Sequence, residues 1–202
     1  MALNGSMLGK LMLAQCLSKG LRGTMIPPFC AALGEGVVTS FKAMNIVQTV
    51  DIGVLTVGTG IGKMSGLMPM SLLGMALPLM AGGGIIGIKS KDLMEALCKA
   101  AVMHFNTMNQ VSTVHTTVAL GTGIGKVSGL IPTTMIALVV AKMASKNIKG
   151  PQLIPLVKAF CTALCNNIMA TAIVQVAIAG APAPTVLGVP IPSGGVGIGK
   201  VS

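Results

Sequence analysis

The chain has 202 residues, of which 52% are hydrophobic and only 9% charged, and its 14 Lys and Arg outnumber four acids to give a net charge of +10. That balance lies far outside the ordinary soluble composition, so much of the surface must be covered by something other than water, and the cationic excess must meet an anionic partner. Trp and Tyr are absent, which removes a stacking platform for single strands, and the lysines are scattered; sequence-specific nucleic-acid binding is not expected.

The chain opens Met-Ala-Leu-Asn-Gly with Lys10 inside the first apolar stretch, a poor match to a cleavable secretory signal, so synthesis in the cytoplasm is expected. From near Met7 the residues predict a short helix that runs toward Gly23, where glycine and nearby cations are stop signals. A second, longer helix is predicted after Pro27-Pro28 and through Cys30. Residues 46–50 are rich in β-branched side chains, so its far end reads as helix or a short strand, with helix preferred. Gly58-Thr59-Gly60-Ile61-Gly62-Lys63-Met64-Ser65-Gly66-Leu67 follows.

The order then recurs. A short helix is predicted from near Leu72 to Gly87, and a longer one from Asp92, with Glu95 three residues on, through Cys98. Residues 111–118 repeat the helix-or-strand ambiguity, and Gly121-Thr122-Gly123-Ile124-Gly125-Lys126-Val127-Ser128-Gly129-Leu130 repeats the glycine motif. The third pass has a helix from near Met135 to Gly150 and another after Pro151 through Cys161. Ala181-Pro182-Ala183-Pro184 and Val189-Pro190-Ile191-Pro192 then favour an extended tail before Gly195-Val196-Gly197-Ile198-Gly199-Lys200-Val201-Ser202. Such self-similarity makes residues 1–202 one domain of three repeats, approximately 7–66, 72–129 and 135–202. Units this small cannot bury their apolar faces alone. The expected fold is mainly α: three helical-hairpin-like repeats around a pseudo-threefold axis, with glycine-rich connections and room for short strands.

The glycine motif fails as a phosphate-binding loop, because three residues rather than four precede its Gly-Lys pair and Met64 or Val127 stands where Ser or Thr is needed. Its glycines, Gly58, Gly60, Gly62, Gly121, Gly123, Gly125, Gly195, Gly197 and Gly199, suit close backbone approach where repeats meet. Lys63, Lys126 and Lys200, equivalent by repeat, are expected either to form a ring facing an acidic neighbour or to be solvated loop residues. His104 and His115 have no acid partner by sequence, and Cys16, Cys30, Cys98, Cys161 and Cys165 lack paired metal-ligand spacing. No catalytic, cofactor-binding or metal site is expected, and the chain reads as a non-enzyme with no cofactor.

Residues 64–88 and 159–199 carry no charge, which meets the length criterion for a membrane span, but Pro69, Pro78 and the later proline runs interrupt both. Burial among other subunits explains the same composition. The stretch 181–202, together with the two internal glycine motifs, resembles small apolar, Gly/Pro-rich structural proteins of the tail or baseplate of tailed bacteriophages; here three units stand where that family has one. The resemblance implies a non-enzymatic virion protein, a packing, plug or joining component near the hub, made in the host cytoplasm. Its implied partners are other virion proteins with threefold symmetry; the basic surplus and apolar segments add an acidic protein surface and transient contact with membrane as expected partners. The alternative is an integral protein of the host inner membrane, of holin or channel type.

Overall fold

A computed structural model of the chain describes residues 3–54, 57–116, 120–180, 185–186, 189–190 and 193–202. Helices α1 (Gly5–Ser18) and α2 (Ile26–Met44) lead into strands β1 (Ile46–Val54) and β2 (Val57–Ser65). The same order follows in α3 (Pro69–Gly82), α4 (Ile88–Met108), β3 (Gln110–His115) and β4 (Leu120–Ser128). It follows again in α5 (Pro132–Ser145), α6 (Leu153–Thr171), β5 (Ile173–Gly180) and β8 (Ser193–Val201), with the short hairpin β6 (Thr185–Val186) and β7 (Val189–Pro190) inserted. The Ala-Pro run at 181–184 lies outside the described residues.

The helices pack in chain order into a ring that closes where α1 meets α6. Their buried faces meet across it, with Phe41 of α2 edge-on to Phe105 of α4 at a centroid distance of 4.7 Å. Each helix pair turns by the same device. The N–H groups of Leu21, Ile85 and Ile148 return to the carbonyls of Cys16, Met80 and Met143 at 2.9–3.0 Å, while Gly20, Gly84 and Asn147 hold positive φ of 73°, 76° and 51°. These are left-handed helix stops that satisfy the last carbonyls. The stop therefore lies three residues before Gly23, Gly87 and Gly150, where the sequence suggested it, and α4 starts at Ile88 rather than Asp92.

The strands form a closed antiparallel barrel in the order β1-β2-β3-β4-β5-β8, with β8 bonded back to β1. This overturns the expected mainly helical architecture of helical hairpins with glycine-rich connections. The segments at 46–54 and 110–115 are strands, and all three glycine motifs are strands too; Val118 lies outside the described residues. The physical reason is the period of the motif. In Gly-x-Gly-x-Gly every second residue lacks a Cβ, and on a strand alternate residues share a face. That face points into the lumen. A methyl added at Gly62 or Gly199 would overlap the carbonyl oxygens of Gln48 and Gln175 on the neighbouring strands, and one added at Gly125 would overlap Ser112. Glycine on every second strand is what lets so narrow a barrel close.

The other three strands fill the lumen in layers. Val47, Val111 and Val174 lie nearest the helices, then Thr49, Thr113 and Val176, then Asp51, His115 and Ile178, all buried. Buried asparagines fasten ring to barrel. At the end of α4, Asn109 accepts the Met64 N–H at 2.5 Å and donates to its carbonyl at 2.8 Å. At the end of α2, Asn45 accepts the Val201 N–H at 2.7 Å. Each thus ties one helix pair to the last strand of the preceding repeat, while Ala172 holds the corresponding place after α6.

Candidate interaction surface

Because the lumen takes alternate residues, the residues between them must face outward, and there, beyond the level of Gln48, Ser112 and Gln175, the strands are apolar apart from Thr59 and Thr122. Val50, Ile52, Ile61, Val114, Ile124, Val196 and Ile198 are all more than half exposed, Ile61 reaching 72%, Ile124 64% and Ile198 61%. They come from β1, β2, β3, β4 and β8, so the apolar surface runs round the barrel rather than along one side. On β5 the outward positions are Gln175, Ala177 and Ala179, all exposed. The small alanine leaves a groove of about 530 Å³ between Ile124 and Ile198. A second groove of about 560 Å³ lies over β1, between Ile61 and Ile198.

Lys63, Lys126 and Lys200 stand on this outer face, two residues from Ile61, Ile124 and Ile198 on the side toward the helices, and all three are exposed. The strand register pairs Lys63 with Gln48, Lys126 with Ser112 and Lys200 with Gln175, which puts them at one level. They do not converge; they form a collar round the wall. The candidate glycines sit on the same strands facing inward: Gly58, Gly60, Gly123, Gly125 and Gly197 are buried, and Gly62, Gly121, Gly195 and Gly199 half-buried. The glycines therefore shape the barrel, and the contact surface falls to the residues between them. Between the collar and the strand connections, the outward-facing described residues carry no charge. The connecting sequences at 55–56, 116–119 and 181–192 carry none either.

Comparison with family models, curated proteins and solved structures finds no match to this chain.

Both histidines lie inside the molecule. His115 Nε2 is 3.3 Å from Asp51 Oδ1, with neither side chain exposed. Thr49 donates to Asp51 Oδ2 at 2.8 Å and Thr113 to Oδ1 at 3.4 Å. Sequence reading missed this pairing because β1 and β3 are neighbours only across the glycine face of β2. The available signal was alignment by repeat: Thr49-x-Asp51 and Thr113-x-His115 occupy the places of Val176-x-Ile178. His104 is buried in α4, where burial lowers its pKa, and its Nε2 accepts the Ile131 N–H at 3.2 Å.

All five cysteines are buried and free. Burial pushes the thiols of Cys98 and Cys165 up to about 12, so neither supplies a thiolate at neutral pH. Cys16 and Cys30 approach to 3.9 Å between sulfurs. Among the described residues no cluster of three His, Cys, Asp or Glu side chains could hold a metal ion. Two other acids serve an ion-pair network on the helix ring: Lys146 bridges Glu95 at 2.8 Å and Asp92 at 3.3 Å, and Lys99 meets Glu95 at 2.6 Å.

The uncharged runs of the sequence fall on several elements. Of the described helices, α6 alone is long and apolar enough to cross a membrane, and half of it is buried within the ring between α1 and α5.

Proposed function

We propose that this protein is a non-enzymatic structural component of a phage virion, a plug or joining piece of the tail or baseplate hub, seated through the outside of its barrel. The observation that carries this reading is the apolar, uncharged exterior of β1–β4 and β8 below a collar of three lysines. Contiguous apolar surface of this kind marks a contact with something other than water. The closed sheet supports a seated rather than an additive role, since a barrel has no edge strand to recruit another strand. The resemblance of 181–202 and the glycine motifs to small tail and baseplate proteins supplies the setting. In that setting the other virion proteins are the partners, and the protein acts without cofactor or catalysis.

The test is incorporation. Replacing Lys63, Lys126 and Lys200 together by Ala should sharply reduce recovery of the protein in virions while its circular dichroism stays unchanged. Normal recovery of the triple variant would remove the collar from the proposal.

The alternative reading, a holin or channel of the host membrane, draws on the same uncharged exterior and on α6. Against a pore, the barrel lumen is filled by Thr49, Asp51, Thr113, His115, Val176 and Ile178. The proposal therefore includes no passage through it.

A further inference from the structure

Resting on the reading of the barrel as the seated end, we infer that its apolar wall enters one leaflet of an anionic lipid bilayer, with Lys63, Lys126 and Lys200 held at the headgroup phosphates. The wall of the barrel meets one condition a bilayer imposes. Backbone polar groups in hydrocarbon must be satisfied internally, and a closed antiparallel sheet does this without edges. The apolar residues face outward on five of the six strands, and β5 adds only Ala177 and Ala179 beyond Gln175.

The only ionisable side chains on the described strands between the collar and the connections, Asp51 and His115, lie within the lumen and face each other there. They add no charge to the wall. The dimension also fits. Six residues separate Lys63 from Val57, about 20 Å along a strand and about 15 Å along the axis of a barrel tilted by about 40°. That is half the roughly 30 Å hydrocarbon core, or one leaflet. Lysines at that level reach the phosphates with their apolar stems still among the acyl chains. The collar thus sets the depth, and the ring of helices, which is wider and carries the remaining lysines, stays outside.

The chain has no Trp or Tyr, so one introduced indole reports its own surroundings. Ile61→Trp below the collar and Ser65→Trp above it both replace exposed residues. The full-length variants are mixed with vesicles of phosphatidylcholine and phosphatidylglycerol that carry brominated acyl chains. The expected result is a blue shift and strong quenching for Ile61→Trp, little quenching for Ser65→Trp, and binding about a hundredfold weaker to phosphatidylcholine alone. An Ile61→Trp emission unchanged by either vesicle, while the native chain is recovered in virions, would overturn the lipid inference and assign the wall to a protein socket. Equal quenching of the two indoles would overturn the depth set by the collar.

Discussion

Asp51 and His115 meet inside the barrel, Oδ1 to Nε2 at 3.3 Å, at the level where the third repeat places Ile178. Two of the three repeats carry a polar lumen residue where the third has an apolar one, and the two polar residues complement each other. A buried pair of this kind adds little net stability but is costly to break, because either member left alone remains desolvated. What it supplies is register. β1 and β3 can face each other across β2 in only one alignment if the carboxylate is to find the imidazole and both threonine hydroxyls.

His115→Ile should therefore destabilise the protein by roughly 3 kcal/mol, whereas Asp51→Val with His115→Ile should recover about half of that loss. Urea denaturation of the two single variants and the double variant gives the cycle. Additive losses would mean that the pair is not coupled.

The glycine strands make a second prediction. A methyl at Gly60 would overlap Asp51 Oδ1 and Thr113 Oγ1, and one at Gly197 would overlap Thr49 Oγ1 and come within 2.8 Å of Asp51 Oδ2. Gly60→Ala and Gly197→Ala should each cost about 1–3 kcal/mol or more, while Thr59→Ala on the outer face should stay within about 0.5 kcal/mol. Thermal unfolding compares them; equal effects on the two faces would contradict the inward assignment of the glycines.

The α4–α5 contact should weaken in acid. Hydrogen bonds from Lys146 first and then Lys99 lower the Glu95 pKa to about 2 from an ordinary 4.5. A carboxylate with a lowered folded pKa contributes stability that is present above its unfolded value and lost as pH falls through the folded one. The difference in Tm between the native chain and Glu95→Gln should therefore be present above pH 4.5, shrink below it, and vanish near pH 2. Exposure and salt keep the effect small. A difference that persists unchanged to pH 2 would show that the carboxylate charge is not its source.

The helices were legible because their signals are local. Pro27-Pro28 at the start of α2 and the glycines that follow α1, α3 and α5 mark them without knowledge of tertiary contacts. The barrel was hidden by the ambiguity of glycine, which signals a turn when read singly and an inward strand face when read with period two. In Gly58-Thr59-Gly60-Ile61-Gly62 the period was present, but the space it creates is visible only when β1, β3 and β5 bring Thr49, Thr113 and Val176 to the same lumen. The lysines of the surface were found by repeat equivalence, whereas the isoleucines two residues before them in the same motif were overlooked. A single apolar residue between glycines looks like core until the glycines themselves turn out to be the inside.

The most direct measurement of the structural role is quantitative mass spectrometry of purified virions alongside membranes of the producing cells, for the native chain and for a chain carrying Ile61→Glu, Ile124→Glu and Ile198→Glu. All three isoleucines are exposed, so the charges should leave the fold intact. The native chain should be recovered in virions at a few copies per particle, and the substituted chain should be lost from them. Recovery of the native chain in membranes alone, or undiminished incorporation of the substituted chain, would contradict a virion component seated through its barrel.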